Sequence, residues 1–422
     1  MIGRRWSVCS GAAILCLVSS GVWADSNQTT LPAGPVLIEA AEPVPPWTEI
    51  RLASAAGPVV AQSDGAGRLW SWGTVSIEDG RPRFLPAAVS DEPQGGVRVF
   101  QVDAGLLEVR IDGELFTRFH YEAKEPKPFL WPVIGPTGDP VTRAYPMKEI
   151  ETERRDHRHH RSIWCAWGEV NSDRIEGTTN YWHESKDPAN QDRQIVRRIV
   201  RTVNGPIFGL IEAHIDWVAH NGQREFSEKR TYMFFRGDDR KRVIDVSNAF
   251  AFEDADVTFA DTKEAGLLSV RVATSMDEVG LNRREPGQGH MVNSHGSRGE
   301  ADCWGERADW CDYVGPVNGR TVGIAVFDDP GNWGHPPRWH IRGYGLFSVN
   351  NIAERSFLKP PGDATPEQRA AFERTHDAAK TFKKGESAEF NYRILIHSGD
   401  TEEARVADAY KRYTLDRPAI VP

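Results

Sequence analysis

Over most of the chain, apolar and polar residues alternate with a period of two, and Gly, Asn, Asp and Pro punctuate the alternation. Leu107, Val109 and Ile111 alternate up to Asp112-Gly113, after which residues 115–121 run back, the pattern of a hairpin. Ile211, Ala213, Ile215 and Trp217 repeat it toward Asn221-Gly222, with residues 226–235 returning. Further strands are expected over 243–252, 267–273, 321–327 and 388–397. Only two segments read as helices. Thr365-Pro366-Glu367-Gln368 combines an N-cap, a proline at the first helical position and a Gln that closes a capping box, so a helix is expected to about Lys380. Residues 402–413 carry Val406, Ala407, Tyr410 and Tyr413 at helical spacing. The prediction is a mainly β chain, a large antiparallel β-sandwich with a few short helices.

The N-terminus breaks this pattern. Arg4 and Arg5 precede an apolar run from Val8 to Val22, and Val22-Trp23-Ala24 completes the form of a secretory signal peptide over residues 1–24. An uncleaved anchor is the alternative, but the run is short for a full span. The expected location is periplasmic or secreted, with no membrane association beyond the signal peptide. Residues 25–48, rich in Thr, Ala and Pro without an apolar period, read as a linker. A single large domain is then expected over 49–422. The alternatives are a small N-terminal β subdomain over 49–125 or a two-domain split near residue 130.

Charge narrows the partners. The chain has 51 Lys plus Arg against 60 Asp plus Glu, a net charge of -9, and loss of Arg4 and Arg5 with the leader makes it more acidic still. No global attraction for nucleic acid follows. Three cysteines lie beyond the leader. Cys303 and Cys311 are close enough in sequence for a bridge in an oxidising compartment, with two free thiols as the alternative. Cys165, between Trp164 and Trp167, reads as a small buried hydrophobe rather than a nucleophile. There is no G-x-S-x-G, P-loop, H-E-x-x-H or dinucleotide fingerprint, so redox-cofactor and ATP chemistry lack support.

Three constellations carry candidate chemistry. In Asp156-His157-Arg158-His159-His160-Arg161, an extended backbone would put His157, His159 and Arg161 on one face and His160 on the other. Such a face can bind an anion, pass a proton or ligate a metal; the plain alternative is a solvated basic loop. Asp261-Thr262-Lys263-Glu264 precedes Gly266, which permits a sharp bend. Lys263 can hold a carboxylate while Glu264 or Asp261 acts as a base, and an exposed turn with a local ion pair is the alternative. In Trp339-His340-Ile341-Arg342, His340 and Arg342 share a face, either as an anion reader or with His340 as a core imidazole. Trp182, Trp304, Trp310 and Trp339 lie beside polar residues, where tryptophan faces can stack on sugar rings.

These motifs, together with Lys127-Pro128-Phe129, Pro132 and Trp304-Gly305, are similar to the PmoA-like family of secreted bacterial proteins over roughly residues 95–415. Ala265, Ser162 and Ile163 depart locally from the family pattern. The resemblance implies a β-sandwich of the galactose-mutarotase-like supersandwich kind in a setting of carbohydrate breakdown.

The function expected is that of an exported carbohydrate-active enzyme acting on an anionic or oxidised sugar or glycan by histidine acid/base chemistry. In a β-elimination, Arg161, Lys263 and Arg342 neutralise the substrate carboxylate, His157 or His159 takes the proton and His340 protonates the leaving oxygen. In a hydrolysis, Glu264 and Asp261 form the carboxylate pair. Trp304, Trp339 and Asn350 complete the expected substrate contacts. The alternative is a non-catalytic metal- or sugar-binding protein, in which His157, His159 and His340 offer three imidazoles to a divalent metal; no other cofactor is implied.

Overall fold

A computed structural model describes residues 13–14, 29–40, 43–54, 57–78, 81–86 and 95–415. Apart from residues 13–14, the expected signal peptide lies outside them. The protein is mainly β, and two antiparallel eight-stranded sheets form a sandwich. The first runs in the order Arg338–Arg342, Leu346–Asn350, Ala265–Arg271, Ile163–Trp167, Phe129–Val133, Glu114–His120, Leu106–Ile111 and Val97–Asp103. The second runs Arg193–Val203, Phe208–Val218, Arg224–Phe235, Lys241–Ala251, Ser387–Ser398, Arg320–Asp328, Trp310–Val317 and His290–Asn293. The hairpins expected at Asp112-Gly113 and Asn221-Gly222 both form, each with one register shift near its turn, at Val109/Arg110 and at Trp217/Val218.

Period-two alternation explains the layering. Ile163, Cys165 and Trp167, with Trp339, Ile341, Phe347 and Val349, face inward and share one core with Ile211, Ile215, Trp217, Ile244, Ile324 and Ile394 of the opposite sheet. The intervening positions of the first sheet, Trp164, Ala166 and Leu346, point outward into a smaller cluster with Phe129, Trp182 and Tyr344. The strand pair Ile163–Trp167 and Ala265–Arg271 shifts register between Trp164 and Ala166. Gly266 sits at that shift, and a Cβ there would lie 2.2 Å from Ser348 Oγ and 2.3 Å from Ser269 Oγ. Gly266 is therefore required by close approach within the sheet, not by the sharp bend expected of it.

Residues 29–38 correct the linker reading. Thr29–Ile38 is a strand paired with Leu69–Glu78, and Val36 and Ile38 pack with Leu52, Val59 and Phe84 in a separate core. The Pro-rich surroundings obscure the short apolar run Val36-Leu37-Ile38 that drives it. This N-terminal sheet ends at Arg81–Pro86, whereas the strands from 97 to 120 belong to the first large sheet, so the subdomain boundary expected at 125 does not coincide with a sheet boundary. The outer face of the second sheet is covered by Trp72 of the N-terminal sheet and by the C-terminal helix Val406–Tyr413. The helix Pro366–His376 carries the expected capping box and buries none of its residues. No helix among the described residues is long and apolar enough to cross a membrane.

Candidate functional site

The first sheet's outer face carries the chemistry. The histidine segment leading into Ile163–Trp167 is folded back rather than extended: His157 (φ 46°) and Ser162 (φ 56°) adopt left-handed backbone, and the His160 N–H donates to the His157 carbonyl at 2.9 Å. Non-glycine residues in this region are strained, a feature concentrated at functional sites. The fold-back overturns the expected alternation. His157 stacks on His160 (4.9 Å, 6°), His159 meets His160 edge-on at 4.4 Å, and all three imidazoles share one cluster.

Beneath them lies a buried floor of His160, Trp164, Trp182 and His340. Trp164 stacks on His160 at 5.3 Å, and Trp182 lies 5.5 Å from His160 and 6.4 Å from His340. The indole nitrogens of Trp164 and Trp182, His159 Nε2 and both ring nitrogens of His340 are buried without a well-formed hydrogen bond to any described residue. Such a concentration of unpaired polar atoms is unusual in a protein interior. Burial holds these imidazoles neutral. It depresses His340 to about 3, helped by Arg342 and Lys263, and His159 to about 2, helped by Lys127 and His183. His160 is pushed well below the usual range by burial and Arg271. Arg271 Nη1 donates to His160 Nδ1 at 2.6 Å, so the proton of neutral His160 resides on Nε2.

Tyr344 gathers the cations. The guanidinium carbons of Arg283, Arg271 and Arg342 lie 4.7, 5.0 and 5.3 Å from its ring centroid, and His157 stacks on it at 4.7 Å and 7°. Asp156 is the anion that holds this group together. Its carboxylate accepts from Arg271 Nη2 at 2.8 Å and from Arg283 Nη2, and its Oδ2 lies 3.2 Å from His157 Nδ1. Burial alone would raise Asp156, but His157, Arg271 and Arg283 outweigh it and hold the carboxyl far below its ordinary value. His157 Nδ1 is buried against Asp156, which leaves Nε2 as the nitrogen turned to the surface. Arg342 Nε lies 2.7 Å from Glu300 Oε1.

At the rim, Glu264 lies between Lys263 (3.6 Å) and His183 Nε2 (4.0 Å). Asn180 Oδ1 accepts from the His183 backbone N–H, which fixes the amide so that Nδ2 faces His183 Nδ1 at 3.4 Å. Nδ1 is then the acceptor, and Nε2 carries the proton facing Glu264. Fully buried Lys127 lies below both loops, donating to the Trp182 carbonyl at 2.6 Å and the His159 carbonyl at 3.4 Å; burial lowers it to about 7.

The structure thus brings together His157, His159, His340, Lys263, Glu264 and Arg342 on one face, and adds Asp156, His183, Arg271, Arg283 and Tyr344. Other expected residues are committed elsewhere. Arg161 donates to Glu184 at 2.5 and 3.1 Å and to Glu125 at 2.6 Å, leaving no free edge for a substrate. Asp261 accepts the backbone N–H groups of Glu354, Arg355, Ser356 and Ala378, so it is a loop anchor and not a base. Asn350 donates to the Thr262 carbonyl and accepts from the Ile352 and Ala353 N–H groups. Trp339 lies in the inner core with its indole N–H on the Ala308 carbonyl, on the face opposite His340. Trp304 packs on Phe357 at 5.4 Å, which in turn lies 6.2 Å from His340. Among the described residues no group of three or more His, Cys, Asp or Glu side chains is arranged to hold a metal ion, and His157, His159 and His340 do not form such a set. Cys165, Cys303 and Cys311 are free, buried thiols, so the bridge considered for Cys303 and Cys311 is not formed.

Residues 106–411 match the model of a family described only as a family of unknown function, DUF6807. That match overturns the expected PmoA-like membership, and the motifs from Asp156 to Arg342 lie inside the matched residues. No curated protein matches the chain. Among solved structures it is similar to heparinase III, the BT4657 gene product with methylated lysines, at 12% identity and a TM-score of 0.21, covering 76% of this chain and 37% of that one. It is also similar to HI1317, at 9% identity and a TM-score of 0.24, covering 86% of this chain and 99% of that one. The chain therefore spans little more than a third of the heparinase III length. Overlaps this loose leave function to be read from the chain's own residues.

Proposed function

Since the chain belongs to the DUF6807 family of unknown function, we propose its activity from the site itself: an exported carbohydrate-active enzyme that removes a proton beside the carboxylate of an anionic sugar and eliminates the neighbouring glycosidic oxygen. The observation that carries this reading is His157, backed by Asp156 and stacked on a tyrosine ringed by three guanidinium groups. Export is supported by the leader pattern of residues 1–24.

The chemistry follows from the charges. Arg342 and Lys263 neutralise the substrate carboxylate, which stabilises the negative charge that develops there when the adjacent C–H bond breaks. His157 Nε2 takes that proton, and Asp156 holds the ring in the tautomer that can accept it. The electron pair left on carbon forms the new double bond as the C–O bond to the leaving group breaks. The Tyr344 hydroxyl, hydrogen-bonded to no described residue, gives its proton to the departing oxygen. This role passes from His340, whose ring nitrogens are buried, to Tyr344. His159 is held neutral because burial and Lys127 disfavour its charge; an anion bound beside it raises its proton affinity and makes it a second acceptor. The hydrolytic version pairing Glu264 with Asp261 is not retained, since Asp261 is fully engaged by backbone N–H groups.

The test is incubation of the purified protein with a panel of uronate-containing polysaccharides, following the ultraviolet absorbance of unsaturated products and the release of reducing ends. Product formation abolished in His157→Ala and Tyr344→Phe is expected. Reducing ends without unsaturated product would replace elimination by hydrolysis. Saturable binding without any product would leave a sugar-binding protein.

A further inference from the structure

We propose that Glu264 selects the sugar: its carboxylate takes a pair of adjacent free hydroxyl groups, so the substrate is a uronate whose ring hydroxyls carry neither an acyl ester nor a sulfate. The inference rests on the reading above and narrows it from anionic sugars in general to unsubstituted uronates. It also gives a role to the one rim carboxylate that the elimination leaves unused.

The turn that carries Glu264 is fixed while its carboxylate is open. The Glu264 N–H donates to Thr262 Oγ1 at 3.2 Å, and the Ala265 N–H donates to the Lys263 carbonyl at 2.8 Å. Gly168 lies against the same turn, where a Cβ would come 2.5 Å from the Glu264 carbonyl oxygen and 3.3 Å from the Glu264 Cβ. The Glu264 side chain is 32% exposed, beside Lys263 at 41% and His183 at 48%. Both neighbours are donors, yet Lys263 Nζ stops 3.6 Å from Oε1 and His183 Nε2 stops 4.0 Å from Oε2, beyond hydrogen-bond reach. Neither Glu264 oxygen accepts a hydrogen bond from a described residue, so the acceptor capacity of both faces the ligand. Asp156 and Glu300, the other carboxylates at the site, are engaged by guanidinium groups.

An open carboxylate in a site that receives an anion orients the ligand. It repels the charged end of the sugar, which goes to Arg342 and Lys263, and it accepts only from groups that donate. A hydroxyl group satisfies both sides at once: its O–H donates to Glu264, and its oxygen accepts from Lys263 Nζ or from the N–H at His183 Nε2. Two adjacent hydroxyls of one ring engage both carboxylate oxygens, and such charge-assisted bonds are roughly twice as strong as neutral ones. Burial holds the Tyr344 phenol above its ordinary value, with Arg342 and Arg271 opposing and Glu264 adding to the rise, which sets Glu264 on the border of the same site. An acetyl ester removes the hydrogen that Glu264 must accept. A sulfate ester adds a second anion against it, so both substituted sugars are rejected.

Polygalacturonate, alginate and hyaluronan, each offered free and after acetylation of its ring hydroxyls, test the inference. Binding is measured by calorimetric titration of His157→Ala protein, so that turnover does not contribute heat, and unsaturated product is measured with the wild type. Expected is binding of at least one free polymer, at least about tenfold weaker binding of its acetylated form, and a preference that falls below about twofold when Glu264→Ala is added, the loss of a charge-assisted hydrogen bond. Because Glu264 accepts no hydrogen bond, this variant keeps its fold, and acetyl groups that merely clash elsewhere would keep the preference in it. Equal binding of free and acetylated polymers, a preference that survives Glu264→Ala, or a Glu264→Ala protein that binds both forms more tightly by the same factor overturns the proposal. Hydroxyl-dependent binding without unsaturated product removes the elimination and keeps the role of Glu264. Unsaturated product from both forms alike does the reverse, and no binding of any polymer removes both.

Discussion

Replacing Asp156 by Asn tests whether this one anion organises the cationic face. The substitution keeps the size and one acceptor oxygen but removes the charge facing Arg271, Arg283 and His157, with Arg143 and Arg154 at 3.8 and 4.0 Å. Arg271 is fully buried, and its remaining partner is the neutral His160. Two charge-assisted hydrogen bonds at about 1.5–3 kcal/mol each, less what the amide oxygen and water at the partly open carboxylate recover, give an expected loss of about 2–4 kcal/mol at neutral pH. The pH dependence has a definite sign. Asp156 is held below its ordinary value in the folded protein, so its contribution is complete above the unfolded-state pKa near ~3.9 and declines as pH falls below it. Urea denaturation of both proteins between neutral pH and the lowest pH at which both remain folded measures the difference. It is expected to be flat down to about pH 5 and to narrow below about pH 4. A loss under about 0.5 kcal/mol at neutral pH, or a difference that does not narrow on acidification, refutes the role of Asp156 as hub.

Arg161→Ala strands the buried Glu184 with only the long Arg158 contact at 3.3 Å, and a loss of about 3–5 kcal/mol by chemical denaturation is expected, a structural effect rather than a binding one. His340→Leu changes stability at neutral pH by less than about 1.5 kcal/mol, because the imidazole is neutral and makes no well-formed hydrogen bond. Folded His340 binds its proton only near 3 while the unfolded imidazole titrates near ~6.5, so the wild type loses stability on acidification between those values and the variant loses less over the same window in denaturation curves. Asp261→Ala removes the acceptor of four backbone N–H groups, and a loss of about 2–4 kcal/mol with faster proteolysis between residues 358 and 377 is expected, read by denaturation and by mapping the cleavage products.

The alternation of apolar residues carried most of the sandwich, because strands buried on one face must alternate. The same rule places His340 and Arg342 together and Trp339 behind them, so a sugar-facing Trp339 is inconsistent with the sequence pattern itself. His160 was not legible in this way, since the left-handed backbone at His157 abolishes the period that would have sent it to the other face. Arg161 and Asp261 have the residue types of a site but are consumed by Glu184 and by backbone donors far away in sequence, which residue types do not reveal. Tyr344, Arg271, Arg283 and His183 come from four separate segments that meet only when the first sheet forms. One signal pointed to Tyr344: it follows Arg342 at a turn closed by Gly345, whose φ is 90°.

The Asp261 carboxylate has a further consequence. It grips the chain at Glu354, Arg355 and Ser356 and again at Ala378, fastening both ends of an excursion whose helix, Pro366–His376, buries nothing. Residues 358 to 377 are in effect a purse-string loop drawn shut at its neck. The neck, not the loop, holds the turn that carries Lys263, so this segment is the place where the chain can be cut, lengthened or exchanged for another sequence while that turn and the strand that carries His340 keep their places.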